Sequence, residues 1–222
     1  MDINNALSLE ENLVSFIFDS IFTKRLHPGI KLSESVLAKE FNSSREVVRK
    51  AFSQLQSMGI LTYKKNQGFH VVWLSEEDTK NIYATRKILE IGIIKILTQK
   101  FANDELDLSV LNEKVQTEKY LKISLRNGEY VKTSCDFHLN LALLSDNEFL
   151  INALKPLIPL STLAGLIYDD NKTSFCSYDE HNTIIRAIES GDIEKSKKIM
   201  NKHLTNCVRA LNFGIKKSIF KK

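Results

Sequence analysis

Residues 32–72, LSESVLAKEFNSSREVVRKAFSQLQSMGILTYKKNQGFHVV, decide how this chain reads. Ser33-Glu34-Ser35 opens a short helical segment carrying Val36, Leu37 and Phe41, and Asn42-Ser43-Ser44 interrupts it with a polar turn. A second helix is predicted from Arg45 to Met58, with Val48, Ala51, Phe52 and Leu55 on its inner face. Gly59 is placed to end it, because glycine accepts the left-handed backbone needed after a helix. Two short helices across a tight turn make a helix-turn-helix. Next, Ile60-Leu61-Thr62-Tyr63 and Phe69-His70-Val71-Val72 are β-prone and flank Lys64-Lys65-Asn66-Gln67-Gly68, which predicts a hairpin with a basic tip. Upstream, Leu9 to Phe22 carries Leu13, Phe16, Ile17 and Ile21 at helical spacing, and His27-Pro28-Gly29 closes that segment. Together these elements predict a winged helix over residues 1–74.

The pattern changes at Trp73-Leu74-Ser75-Glu76, and from Ser75 onward every segment has helical periodicity. Helices are predicted over about 76–101, 104–126, 128–145, 147–168, 177–190 and 192–214. Ser177 and Glu180 have the spacing of a capping box. The expected class is mainly α: a winged helix-turn-helix with a small hairpin, then an all-α bundle over residues 75–222. Only 8 Gly and 3 Pro in 222 residues agree with this, since β sandwiches and barrels need frequent turn residues. Cys135, Cys176 and Cys207 are odd in number and lack CxxC spacing, which argues against a disulfide framework. With no signal-like leader and no long apolar run, the expectation is a cytoplasmic protein that engages no membrane.

The net charge of +4 is too small to identify a partner, but its distribution is informative. Residues 41–74 hold five basic side chains, Arg45, Arg49, Lys50, Lys64 and Lys65, and one acidic side chain, Glu46. Arg45 and Arg49 are one turn apart and share a face opposite Val48, Phe52 and Leu55. The second helix of a helix-turn-helix enters the major groove, where arginine bonds guanine bidentately or neutralises phosphate. An acid at Glu46 repels phosphate unless it accepts from a cytosine amine, which makes it a candidate for sequence preference.

The same run resembles the GntR family of bacterial repressors. Leu32, Glu34, Leu37-Ala38, Ser44-Arg45, Val48-Arg49, Ala51, Leu55, Gly59 and Gly68 fall in register with the family pattern, although Ser35 and Glu46-Val47 depart from it. The resemblance implies that Ser44, Arg45 and Arg49 contact DNA, and that Gly68 and His70 of the wing approach the minor groove. It also implies a homodimer on a near-palindromic operator.

Three histidines, His138, His181 and His203, lie on apolar faces of three different predicted helices. Each alone reads as a core residue; together they make a converging metal site a candidate, because imidazole is the commonest nitrogen ligand of zinc. Tyr83-x-x-Arg86-x-x-x-Glu90, Phe137-His138, Glu180-His181-x-x-Ile184 and Met200-x-x-His203-Leu204 resemble the FCD effector domain of the FadR subfamily. That resemblance implies a divalent metal, zinc or nickel, holding a small carboxylate effector. The family's aspartate ligand is replaced by Ser134, so the expected metal site is a neutral three-histidine one of reduced affinity, with Cys135 or Cys207 available as a further ligand. Arg86 is the candidate partner for an effector carboxylate, against a simple salt bridge to Glu90. Two other readings stand beside the ligand-responsive repressor. One is a regulator for which the metal ion is itself the signal; the other is a three-histidine hydrolase using Asp136 or Glu180 as base.

Overall fold

The computed structural model describes residues 8–124, 127–168 and 177–214. The chain divides into two compact units, Met1–Trp73 and Leu74–Lys222.

In the first unit, α1 (Leu9–Phe22) starts at a capping box between Ser8 and Glu11. It stops at Thr23 with Lys24 in the left-handed region, before Pro28 is reached. α2 (Glu34–Glu40) is capped by Ser33, and α3 (Arg45–Ser57) by Ser44. The turn between them needs a left-handed residue, which Asn42 supplies at φ 47°, so that the Ser43 amide reaches back to the Ala38 carbonyl at 2.8 Å. β1 (Leu61–Lys64) pairs antiparallel with β2 (Gly68–Val71) in the register Leu61 opposite Val71. The strands run one residue off the predicted bounds, because the left-handed Asn66 and Gly68 set the turn. Residues 29–32 add a partial third strand: Leu32 donates to Phe69 and Val71 to Ile30, both at 2.9 Å. Val48, Ala51, Phe52 and Leu55 are wholly buried, as their spacing predicts, and Phe52 meets Phe69 edge to face at 5.0 Å.

The second unit is all helical: α4 (Glu76–Ala102), α5 (Ser109–Ile123), α6 (Asn127–Leu143), α7 (Glu148–Leu154), α8 (Leu157–Tyr168), α9 (Tyr178–Glu189) and α10 (Ile193–Arg209). α4 lies at its centre and packs against α6, α7, α8, α9 and α10, while α5 packs on α6 and α9. Four expectations need correction. The helix predicted over 147–168 is two helices, because Pro156 cannot continue α7. The one predicted over 104–126 begins only at Ser109, since Asp107 accepts from the Ser109 amide and hydroxyl and holds a turn there. Its predicted end at residues 125–126, like Cys176, falls outside the described residues. Helix α10 ends at Arg209, and Asn212 then donates to the Tyr168 carbonyl at 2.9 Å. Ser177 caps α9 without a side-chain hydrogen bond: the Glu180 amide donates to the Ser177 carbonyl at 3.0 Å, and the Glu180 carboxylate is engaged with His203.

Residues Glu148–Tyr168 together have the length and hydropathy of a membrane span. The break at Pro156 and the burial of α8 within the bundle account for that composition as a core segment.

Phe52 is wholly buried, so Phe52→Ala should cost about 3–5 kcal/mol through lost transfer energy and the cavity left behind. Urea unfolding, followed by the fluorescence of Trp73 at the end of this unit, measures it.

Candidate DNA-binding surface and metal centre

Arg45, Glu46, Arg49 and Lys50 are exposed on the first turns of α3, and Lys64 and Lys65 are exposed at the wing. The Ser44 hydroxyl accepts from the Val47 amide at 3.3 Å and so starts the helix as well as standing at its leading end. Arg49 is not a free fork. Its Nε and Nη2 donate to the two carboxylate oxygens of Glu34 at 3.2 and 2.9 Å, and these bonds raise its pKa further. This bidentate pair ties α2 to α3 across the turn. Lys50 stands 3.6 Å from Glu46, which leaves Arg45 as the arginine on this face with no carboxylate holding it among the described residues. A cleft beside α3 is lined by Lys31, Ser33, Glu34, Arg45, Asn66 and Gly68. Lys31 was not singled out from sequence; its place emerges only because residue 31 bridges to His70 in the partial third strand. The His70 ring is half-buried, with Nδ1 3.1 Å from the Gly68 carbonyl, so it braces the wing from within.

In the helical unit, α6, α9 and α10 bring His138, His181 and His203 together, all buried, with one ligand nitrogen from each within 4.8 Å of the others. Each ring is held from behind by a carboxylate. His138 Nδ1 lies 2.6 Å from Glu90 of α4, His181 Nδ1 2.8 Å from Glu118 of α5, and His203 Nδ1 2.8 Å from Glu180 of α9. A carboxylate only accepts, so each Nδ1 carries the proton and each Nε2 is turned to the other side of the ring. Phe137 stacks on His181 at 4.0 Å and limits its rotation.

Burial is the largest influence on His138; with the nearby Arg86 cation it outweighs Glu90 and pushes the imidazole down to about 3. The contact with Glu90 is therefore a hydrogen bond from a neutral ring, and Nε2 keeps its lone pair at neutral pH. For Glu90, burial works to raise the pKa, but Arg86 and His138 override it and hold the carboxyl at about 2. Glu180 follows the same pattern: burial opposes ionisation, yet hydrogen bonds from His203 and Asn206 lower its pKa.

A metal ion fits this arrangement. The Nε2 atoms of His138 and His203 are 3.3 Å apart, and two nitrogens on a tetrahedral zinc, at about 2.0–2.1 Å from the ion, lie ~3.3 Å from each other. Two such lone pairs face each other favourably only with a proton or a cation between them. Carboxylate backing of metal-binding histidines orients the ring and raises its basicity, and here all three rings have it. The negative charge that the sequence reading found missing among the ligands lies behind the rings, in three carboxylates. Glu118 was missed because nothing in its helix marks it; Glu90 and Glu180 had been noted, but not as partners of these rings.

Other expectations divide. Arg86 does pair with Glu90, at 2.6 Å, and its Nη1 donates to Ser161 at 2.7 Å, but its buried Nη2 has no acceptor among the described residues. Ser134 is buried on α6 one turn before His138. Cys135 Sγ lies 2.9 Å from the Thr162 hydroxyl and takes no part in the three-histidine cluster. Asp136 faces Lys114 at 3.4 Å and Glu180 is committed to His203, so neither is poised as a catalytic base.

A winged helix followed by a separate helical domain with a buried polar centre is the architecture of a DNA-binding transcriptional regulator. The comparisons agree: residues 9–71 match the gntR family of bacterial regulatory proteins and residues 81–206 match the FCD domain, so the chain belongs to the GntR family, in its FadR-like, FCD-containing branch. It is 29% identical over 203 residues to the HTH-type transcriptional regulator LutR of Bacillus subtilis (strain 168), covering 82% of this chain and 91% of that one. It is 26% identical over 188 residues to the HTH-type transcriptional regulator YdhC of the same organism, covering 84% and 83%. The crystal structure of a GntR transcriptional regulator from Rhodococcus sp. RHA1 superposes with a TM-score of 0.79 at 20% identity, over 95% of this chain and 100% of that one. The family is one of transcriptional regulators and not of enzymes, which removes the hydrolase reading.

Glu118→Leu should lower the stability of the helical unit by about 1–3 kcal/mol, the cost of orphaning the buried His181 Nδ1 proton. Glu118→Gln, whose amide oxygen still accepts, should cost less. Denaturant midpoints of the two variants with chelator present give the comparison.

Proposed function

We propose that the chain is a cytoplasmic homodimeric repressor whose winged helices bind the halves of a near-palindromic operator. A small carboxylate metabolite, held at a divalent metal in the helical bundle, releases it. The observation that carries this reading is the convergence of three carboxylate-backed imidazoles, each with Nε2 turned away from its carboxylate. His138, His181 and His203 hold the ion, zinc or nickel, and the ion supplies a Lewis-acidic position for an anionic ligand. The buried Nη2 of Arg86, held in place by Glu90 and Ser161 through the other guanidinium nitrogens, is a donor suited to a carboxylate oxygen, and Ser134 adds a hydroxyl one turn from His138. Glu90 bonds both Arg86 and His138, so a ligand touching either acts on the same network.

On the DNA side, Arg45 is the principal base reader. Arg49 holds the reading helix through Glu34 and offers its remaining nitrogen, with Ser44 and Glu46 at the same end of α3. Lys50, Lys64 and Lys65 neutralise phosphate, and Gly68 and His70 shape the wing for the minor groove.

Measurements on DNA, metal, effector and assembly check the reading. Arg45→Ala should lose about 1–3 kcal/mol of specific operator binding and flatten base preference, whereas Lys64→Ala and Lys65→Ala should weaken binding to all sequences and each reduce the salt slope by about 1. Fluorescence anisotropy on selected and scrambled DNA separates these effects. Elemental analysis and calorimetry should find about one zinc or nickel per chain in the wild type, and loss of binding in His181→Ala. In the metal-loaded dimer, the cognate carboxylate should lower operator affinity by about 5–150-fold, a coupling of ~1–3 kcal/mol. If metal alone shifts operator affinity and no carboxylate adds to it, the ion is the signal. A monomer in sedimentation at operator-binding concentrations contradicts the dimer.

A further inference from the structure

The cleft beside α3 is lined by three parts of the first unit: Arg45 from α3, Asn66 and Gly68 from the wing, and Lys31, Ser33 and Ser35 from the segment that leads from the partial third strand into α2. It offers about 320 Å³, against ~30 Å³ for one water in the liquid, so a phosphodiester can enter it. A winged helix with α3 in the major groove and its hairpin at the adjacent minor groove straddles the sugar-phosphate strand that separates the two grooves. That strand has to pass between α3 and the wing, where the cleft lies.

Lys31 is exposed, with no carboxylate partner among the described residues. The backbone on both sides of it is fixed, since Leu32 donates to the Phe69 carbonyl and Val71 to the Ile30 carbonyl, both at 2.9 Å. Its Cε lies 3.7 Å from where a Cβ on Gly68 would stand, so the side chain runs alongside the glycine of the wing. Glu34, the acid of the cleft, is already engaged, because both of its oxygens accept from Arg49. The Ser33 and Ser35 hydroxyls lie 3.0 Å apart, and Ser33 Oγ also accepts from the Val36 amide at 3.4 Å. One hydroxyl proton serves the bond between the two, which leaves the other for an acceptor outside the chain.

We propose that this cleft seats a phosphate of the DNA strand between the two grooves, with the Lys31 ammonium as its cation and the Ser33–Ser35 pair as its hydroxyl donor. The assignment rests on the DNA-binding reading of α3 and the wing and adds a contact that belongs to neither. It reads no base edge, so it sets the position of α3 and the wing on the duplex rather than the sequence they select.

Salt titration of the full-length protein, on a duplex that it selects from a random pool and on a scrambled one, tests the proposal. Lys31→Met keeps the stem and removes the charge. It should weaken binding to both duplexes and lower the slope of log affinity against log salt by about 0.9 for each winged helix engaged, which between about 50 and 200 mM salt amounts to about 3.5-fold. Lys31→Arg should keep the wild-type slope. Replacing the phosphates of the selected duplex one at a time with uncharged methylphosphonate should reveal one position in each half-site that weakens the wild type and leaves Lys31→Met unaffected. Circular dichroism melts of both variants should match the wild type, as expected for an exposed side chain. An unchanged salt slope in Lys31→Met, or a variant that stays sensitive at every phosphate to which the wild type responds, would overturn the role of Lys31 and leave the reading helix standing. Failure of the wild type to select any duplex, or an Arg45→Ala variant that binds the selected duplex as the wild type does, would instead remove the DNA reading on which the proposal rests.

Discussion

The Glu90 carboxylate is wholly buried at the middle of α4, and the arrangement of the helical unit follows from how it is satisfied. An ionised carboxylate removed from water without partners is strongly destabilising. Arg86 and His138 each approach it at 2.6 Å, one from its own helix and one from α6. Arg86 continues the chain of contacts to Ser161 on α8, and His138 continues it to His203 on α10. One polar network thereby registers four helices, and a slip of any of them would leave a buried charge or proton without a partner. Glu118 and His181 apply the same constraint between α5 and α9. By fixing each Nδ1 as donor, these carboxylates leave the Nε2 atoms as the acceptors of the centre.

That arrangement suits a sensor better than a catalyst. The carboxylates near the cluster are consumed in orienting rings, so no base stands ready to activate water. Glu90, which bonds both Arg86 and His138, lies on α4, the helix that directly follows the winged helix in sequence. On the proposed reading, a ligand that alters the pairing of Arg86 or the position of His138 acts on the element leading to the DNA-binding unit. Coupling then needs only a modest difference in ligand affinity between two positions of that helix.

Much of this was legible in the sequence because it depends on local rules. The inward spacing of Val48, Ala51, Phe52 and Leu55, the polar turn before Ser44 and the basic tip after Tyr63 each follow from periodicity, capping and turn chemistry. The three histidines were legible as a set through the residues around them. What the sequence did not disclose depends on pairing across the fold. Glu118 stands five residues after Glu113 and in no pattern with a histidine, and only the packing of α5 on α9 brings it to His181. Arg49 was read as a free DNA contact because Glu34, fifteen residues away, meets it only after the helix-turn-helix closes. Glu180 was read as a cap because the spacing from Ser177 fits one, yet the buried His203 competes for the same carboxylate and wins it. Pro156 was the local signal overlooked, hidden within an otherwise continuous apolar run.

The central claim is that three imidazoles are held with the proton on Nδ1 so that three Nε2 lone pairs are available to one ion. Long-range proton–nitrogen NMR correlation of the histidine rings tests this most directly, recorded on the metal-free protein and then with one equivalent of zinc. The account predicts that His138, His181 and His203 show protonated Nδ1 and bare Nε2 before zinc, and that all three Nε2 resonances move together and stop moving at one equivalent. Rings protonated on Nε2, or Nε2 resonances that zinc leaves in place, would contradict it and make the cluster a hydrogen-bonded core without a metal.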